Sequence, residues 1–103
     1  MAKTTAWSFL DEYRGKYFNG FWPTLPETSR ISVARYGNRP CFTIYEGGRI
    51  SLSYRQALER IEAVARYLRA KGIKKGMQVA VSGKNSPEWA IAYLGVLFAG
   101  ATV

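Results

Sequence analysis

The sequence predicts an α/β fold, in which N-terminal helices, a β-hairpin and a truncated βαβ unit form part of a larger layered domain. Three observations lead to this prediction. Residues 53–71 place apolar side chains at helical spacing, residues 41–52 form two strand-like runs around a Gly-Gly pair, and residues 78–103 follow the pattern strand, helix, strand. The chain of 103 residues is 48% hydrophobic and 21% charged, which is ordinary for a globular domain.

The chain is expected to divide into an N-terminal helical segment, residues 1–40, and a second part, residues 41–103. A first helix is expected over residues 6–18, where aromatic side chains recur three and four positions apart. A second helix is expected to begin near Leu25. Gly37 is expected to end it, because Gly favours the position just after a helix.

Two strand-like runs follow, Cys41–Tyr45 and Arg49–Leu52. Gly47 and Gly48 lie between them and predict a tight turn, since Gly tolerates the positive φ that such turns require. These residues therefore predict an antiparallel hairpin.

The clearest helix in the sequence runs from Ser53 to Lys71. Ser53 and Gln56 have the spacing of a capping box, in which each side chain bonds the other residue's backbone N–H, and Gly72 is expected to end the helix. Charged side chains fall mostly on one side. The expected apolar face comprises Tyr54, Ala57, Leu58, Ile61, Val64, Ala65 and Leu68.

The last part of the chain predicts the βαβ unit. Gln78–Ser82 is strand-like, Ser86 can cap the helix that follows, and another strand begins at Ala101. Residues 89–103 carry no charge, so this helix should be buried, and the run is shorter than the roughly 20 residues of a membrane span. A βαβ crossover needs covering layers, and the last strand has barely begun at Val103. The chain is therefore expected to be a fragment of a longer protein.

The net charge is +8, which would suit nucleic acid, an anionic membrane or a phosphorylated ligand as a partner. The charges are spread along the chain without a dense basic run, so a solvated surface is the favoured interpretation. The same interpretation applies to the main group of cations, which comprises Arg66, Arg69, Lys71, Lys74 and Lys75.

Two function classes stay open on these grounds: a small basic nucleic-acid-binding module and a small protein that lies at a membrane surface. The apolar residues 89–103 oppose the first, and the absence of a basic amphipathic helix with a broad apolar face at either end opposes the second. Asp11, Glu12 and Arg14 interrupt the N-terminal sequence early, which argues against a signal peptide.

The cysteine and histidine content limits the kinds of catalytic, metal and disulfide site that the chain can form. The sequence has no His, so it offers no His-based general acid or base and lacks the commonest zinc ligand. Cys41 is the one cysteine and cannot form an internal disulfide, which indicates a reducing, cytoplasmic setting. It lies in an apolar run without a His partner and is expected to be a small core residue, not a nucleophile.

Two further features are candidate sites. Gly83–Ser86 precedes a helix N-terminus, which can attract an anion, but it lacks the spacing of a Walker loop and is expected to be a plain capped helix. The aromatic residues near the N-terminus are expected to form a satellite core or an interface, rather than to line an acyl channel or stack bases. These are Trp7, Tyr13, Tyr17, Phe18, Phe21 and Trp22.

An ordered series of segments in the second part of the chain resembles a known family. The series comprises Ser51–Leu58, then Ala65 with Leu68, then Lys71–Val81, Asn85–Leu94 and Ala99–Val103. It resembles the opening of the acyl-adenylate-forming enzymes, which include AMP-forming acyl-CoA synthetases, firefly luciferase and the adenylation domains of peptide synthetases. The Asn-Ser-Pro-Glu-Trp segment within it is most similar to the long-chain fatty acid CoA ligase branch.

The resemblance implies a two-step reaction in the parent enzyme. A carboxylate, such as a fatty acid, is activated with ATP and Mg²⁺ to an acyl-adenylate, and the acyl group is then transferred to coenzyme A. The family's Ser/Thr/Gly-rich phosphate loop, which ends near a Pro-Lys-Gly, has no counterpart in this sequence. The family's later adenine and ribose contacts, its acyl pocket and its catalytic Lys are missing too, so no catalytic, cofactor-binding or metal-binding residue is assigned to this chain.

The same resemblance sets the expected partners. The parent enzyme would bind a fatty acid or another carboxylate, and this chain would pack against the rest of the adenylation domain. No nucleic acid is expected, and a peripheral contact with membranes is compatible with the charge. The isolated fragment is expected to be inactive and to self-associate as a homodimer, because its C-terminal helix is apolar all round.

Overall fold

The computed structural model describes Lys16 and residues 23–103. This part of the chain contains three α-helices and a two-stranded antiparallel sheet, which confirms the predicted α/β class. The helix expected over residues 6–18 lies outside the described residues, apart from Lys16. The elements are α1 (Leu25–Tyr36), β1 (Pro40–Tyr45), β2 (Arg49–Ser53), α2 (Tyr54–Ala70) and α3 (Pro87–Phe98).

Helix α1 begins with a capping box that the sequence carried as a Thr-x-x-Glu spacing. The Glu27 backbone N–H donates to Thr24 Oγ1 at 3.3 Å, and the Thr24 N–H donates to Glu27 Oε2 at 2.9 Å. The helix ends before Gly37, as predicted, but Gly37 has a right-handed conformation. A side chain is excluded there by packing, because a Cβ would lie 2.9 Å from the Val33 carbonyl oxygen and against Arg55.

The predicted hairpin is present. Strands β1 and β2 are antiparallel, with Phe42 opposite Leu52 and Tyr45 opposite Arg49. Gly47 and Gly48 have φ values of 67° and 130°, the positive range that Gly tolerates. Leu52 is buried, so the hairpin contributes to the core from the end nearest α2.

Helix α2 is the central element, and its predicted face is the one that packs. Its N-terminus is capped as expected, with the Gln56 N–H donating to Ser53 Oγ at 3.1 Å and the Ser53 N–H donating to Gln56 Oε1 at 2.9 Å. Ala57, Ile61 and Ala65 are buried along the helix. Leu58, Val64 and Leu68 are half-buried beside them.

Helix α3 packs mainly against α2, and the two helices hold the core between them. Ile91 and Phe98 are buried, whereas Leu94 and Leu97 are half-buried. The four apolar side chains therefore do not share one environment, as expected for a helix that is apolar all round. The buried core cluster comprises Leu52, Ile61, Ala65, Ile91, Phe98 and Ala99.

The chain on either side of α3 forms one parallel bridge, between Gln78 and Thr102. The Val79 N–H donates to the Thr102 carbonyl at 2.8 Å, and the Thr102 N–H donates to the Met77 carbonyl at 2.9 Å. This is a βαβ crossover in its smallest form. The strand expected over 78–82 is limited to this bridge, because Thr102 supplies the pairing at one point of the segment.

Among the described helices, none is both long enough and apolar enough to cross a membrane.

Candidate functional site

The loop before α3 is a candidate anion site, and several of its polar groups are engaged within the protein. Ser86 Oγ accepts the Trp89 N–H at 3.2 Å and donates to the Lys84 carbonyl at 3.2 Å. The Lys84 ammonium lies 3.3 Å from Glu46 Oε1, and both side chains are exposed. The arrangement is that of a capped helix tied to the hairpin.

These residues do not fit ATP and Mg²⁺, the groups that the resemblance implies for the parent enzyme. A triphosphate needs backbone N–H groups and a cation that are available to it. Here the N–H of Trp89 is bonded to Ser86, and Lys84 is paired with a carboxylate. Within residues 23–103, no cluster of three His, Cys, Asp or Glu side chains has the arrangement to hold a metal ion.

An apolar groove of about 190 Å³ lies between α1, β1, α2 and α3. Val33, Phe42 and Leu58 contribute to its lining, and the hydroxyl-bearing residues Thr28 and Ser32 lie on the α1 side. The groove is a gap between packed elements, and Cys41 is the single His, Cys, Asp or Glu side chain on its lining.

Cys41 also lies on this groove and is half-buried. Burial raises the pKa of the Cys41 thiol, because the charged thiolate is poorly solvated there. With no His in the sequence to take its proton, the thiol is poorly suited to nucleophilic work.

A second groove, of about 230 Å³, is lined by arginines that join the three helices. Arg30 of α1 lies 3.8 Å from Glu62 of α2, and its guanidinium stands 4.7 Å from the centre of the Phe98 ring. Arg69 donates a hydrogen bond to the Phe98 carbonyl, which belongs to the last turn of α3. Sequence reasoning treated Arg69 as solvated and did not consider Arg30, because both contacts depend on how distant helices pack.

The N-terminal aromatic cluster, from Trp7 to Trp22, lies outside the described residues. The described part of the chain has its own aromatic pairs at other places. Trp89 stacks on Tyr93 with ring centres 5.4 Å apart, and the rings of Tyr36 and Tyr54 lie 6.0 Å apart. Tyr36 and Tyr54 line an open groove with Arg39, and Trp89 lines another open groove with Asn85 and Ser86.

Comparison with known proteins identifies what this scaffold belongs to. The model of the AMP-binding enzyme family matches residues 29–103. A long-chain-fatty-acid–CoA ligase of Bacillus subtilis is 35% identical over 80 residues, covering 78% of this chain and 14% of that protein. A chloroplastic long-chain-fatty-acid–[acyl-carrier-protein] ligase of Arabidopsis thaliana is 30% identical over 81 residues, covering 78% of this chain and 11% of that protein.

Comparison with solved structures indicates the same kind of enzyme. A crystal structure of a fatty acyl-adenylate ligase from L. pneumophila, in complex with acyl adenylate and pyrophosphate, superposes with a TM-score of 0.64 at 26% identity. The superposition covers 73% of this chain and 13% of that one. This chain thus spans between 11% and 14% of the length of these three proteins. Because the family model matches more than two thirds of the sequence, over the residues that build the α2–α3 core, the chain belongs to the family of AMP-binding enzymes.

Proposed function

We propose that this chain is the N-terminal structural portion of an AMP-forming acyl-CoA synthetase. The enzyme activates a carboxylate as an acyl-adenylate and then transfers the acyl group to coenzyme A. The observation that carries the proposal is the unbroken family match over residues 29–103, together with the ligase relatives at 30% and 35% identity. We propose that the adenylation domain occupies residues 41–103 and that residues 1–40 precede it as a separate segment, whereas the family match itself begins at residue 29, within α1.

The proposed substrate class is a fatty acid. Two relatives whose names specify long-chain fatty acids align over about 80 residues, whereas bacitracin synthase 3 of Bacillus licheniformis aligns over 53 residues at 42% identity. The longer alignments cover 78% of this chain, against 52% for the peptide synthase, so the fatty acid ligases account for more of this chain. We propose a cytoplasmic enzyme, on the strength of the single cysteine.

The role of the described residues in that enzyme is to support the adenylation domain. ATP, Mg²⁺ and coenzyme A would be held by other parts of the polypeptide. The loop at Ser86 does not fit a triphosphate, and the carboxylates of the described residues form no cluster that fits a metal ion. What this chain contributes is the packed pair α2 and α3 and the parallel bridge at Thr102, on which further strands can pair.

An activity assay tests the proposal. The 103-residue chain should release no more pyrophosphate from ATP than a heat-killed sample does, in the presence of Mg²⁺, coenzyme A and a fatty acid. Release that depends on the fatty acid would place the catalytic groups inside this chain and contradict the assignment. The polypeptide encoded by the longer reading frame should form the fatty acyl-CoA thioester under the same conditions.

The isolated chain is further proposed to self-associate. Trp89, Met77 and Val103 are large apolar residues that remain more than a third exposed, and all three lie on α3 or on the segments that flank it. Thr102 and Gln78 form a bridge whose outer edges carry backbone groups that can pair with another chain. A two-fold dimer is the commonest way to cover such a surface.

A further inference from the structure

Although the basic residues are spread along the chain, one stretch of it carries basic residues without any acidic ones. Between Glu62 and Glu88 the sequence has no acidic residue and six basic ones. They account for most of the net charge of +8. They are Arg66, Arg69, Lys71, Lys74, Lys75 and Lys84.

The fold gathers the first five of these residues at the C-terminal end of α2, and we call them the basic surface. The turn that follows the helix folds back on it, because the Ile73 N–H donates to the Leu68 carbonyl at 3.0 Å. A second turn is closed by the Met77 N–H donating to the Lys74 carbonyl at 3.1 Å, which places Lys75 at its tip. All five side chains of the basic surface are exposed.

Structural needs explain part of this surface but not all of it. Basic side chains at the end of a helix complement its dipole, which accounts for Lys71, and Arg69 also donates a hydrogen bond to the Phe98 carbonyl. Lys74 and Lys75 lie beyond the helix in an exposed turn, where that effect has fallen off. The nearest acidic residue along the chain, Glu62, is already paired with Arg30 at 3.8 Å. Within the described part of the chain, the fold identifies no structural task for the two lysines of the turn.

Exposed apolar side chains accompany the charges. Tyr67 is 62% exposed, and the Lys71 ammonium stands 5.6 Å from the centre of its ring. Met77, at the end of the turn, is 38% exposed. A tyrosine ring and a methionine beside several cations match the headgroup region of a bilayer, where aromatic rings settle and anionic lipids attract Lys and Arg.

We propose that the basic surface docks on a bilayer that contains anionic phospholipid. Nucleic acid is the less favoured partner, because one side of the Tyr67 ring is occupied by Lys71 and is not free to stack on a base. Docking would also bring the enzyme to a substrate that dissolves in membranes. This benefit to the enzyme rests on the proposed fatty acid substrate. The charges and exposed side chains from which docking is inferred do not depend on that substrate.

Vesicle binding tests the proposal without any need for ligase activity. The 103-residue chain is sedimented with vesicles of phosphatidylcholine alone, or of phosphatidylcholine mixed with phosphatidylglycerol, at low and high salt. Binding should require the anionic lipid and weaken as salt rises. Removing one charge near the surface should lower the partition coefficient about fivefold, so Lys74→Gln/Lys75→Gln should lower it about 25-fold.

A matched control variant removes two positive charges at another place on the chain. Arg39→Gln/Arg49→Gln alters two exposed residues of the hairpin region, at the other end of α2, which is about 25 Å long. At physiological salt this variant should lose less than about threefold, since the sites lie about three Debye lengths of roughly 8 Å from the docked surface. Circular dichroism of both variants checks that they fold. Tyr67→Ser should also weaken binding to the vesicles, but the dependence of binding on salt should stay the same.

Three results would overturn the proposal. Equal losses in the two double variants would mean that net charge alone drives binding. Equal binding to vesicles of phosphatidylcholine alone would mean that exposed apolar residues act without the basic surface. Tighter binding to a DNA duplex than to vesicles of the same phosphate content would assign the surface to nucleic acid. None of these results bears on acyl-CoA formation, so the proposed function would stand or fall separately.

Discussion

Gly95 of α3 lies so close to Val64 of α2 that no side chain fits between the two helices at this point. A Cβ placed on Gly95 would come 2.7 Å from Val64 Cβ, nearer than nonbonded carbon atoms approach. Val64 Cβ is fixed to the backbone of α2, so the clash can be relieved only if the helices move apart. The close approach of the two helices therefore depends on glycine at this position.

Gly95→Ala is expected to destabilise the chain by up to about 2 kcal/mol. Overpacking costs about 1–3 kcal/mol, and the better helix propensity of Ala offsets about 1 kcal/mol of it. Urea unfolding followed by circular dichroism measures the difference. Gly83→Ala is the matched control, because a Cβ there meets its nearest neighbour, Trp89 Cδ1, at 3.9 Å. If both variants unfold at the same urea concentration, α2 and α3 do not pack as described.

Ile61→Asp should unfold the described core. Ile61 is 3% exposed and belongs to the buried cluster, so an unpaired carboxylate there costs several kcal/mol, comparable to the whole stability of a small domain. Arg60→Ala changes the adjacent, exposed residue and should alter the free energy of unfolding by less than about 0.5 kcal/mol. Equal unfolding midpoints for the two variants would show that the buried face of α2 is wrongly assigned.

Cys41 should react with thiol reagents at higher pH in the folded chain than in the unfolded chain. Burial raises the pKa of the thiol in the folded state, so less of the reactive thiolate is present at a given pH. Because Cys41 is the sole cysteine, the rate of reaction with a chromogenic disulfide reports on it alone. The comparison is between native buffer and denaturing urea across a range of pH. A native profile at the same or lower pH would contradict the described burial.

Self-association should be visible by light scattering after size exclusion, and it should increase with salt. The net charge of +8 repels a second copy, but at physiological salt this repulsion is screened beyond about 8 Å. Trp89→Ser should weaken the association, since it removes one of the exposed apolar residues of α3. A stable monomer at all salt concentrations would show that the chain covers α3 by itself.

Local sequence signals predicted the elements well where they depend on neighbouring residues. The capping box of Ser53 with Gln56 and the hairpin turn at Gly47 and Gly48 are both present as expected. The Thr24–Glu27 capping box had the same signal in the sequence and was overlooked. In each case the hydrogen bonds or backbone angles involve residues within a few positions of one another.

Features that depend on distant packing could not be predicted in the same way. Every face of α3 is apolar, so its sequence did not indicate that Ile91 and Phe98 would be buried and Leu97 half-buried. The hydrogen bond from Arg69 to Phe98 joins residues 29 positions apart. Gly37 follows the end of α1 as expected, but its conformation is right-handed, and the close contact with Val33 and Arg55 is what requires glycine.

The most direct test of the proposed ligase is the nucleotide sequence that follows the codon for Val103. An open reading frame is expected there, encoding a Ser/Thr/Gly-rich phosphate loop that ends near a Pro-Lys-Gly, as the resemblance to the acyl-adenylate-forming enzymes implies. The encoded polypeptide should align with the ligase relatives well beyond the 11% to 14% of their length that this chain covers. A stop codon directly after Val103, or a long frame without such a loop, would contradict the proposal that this chain supports the adenylation domain of an acyl-CoA synthetase.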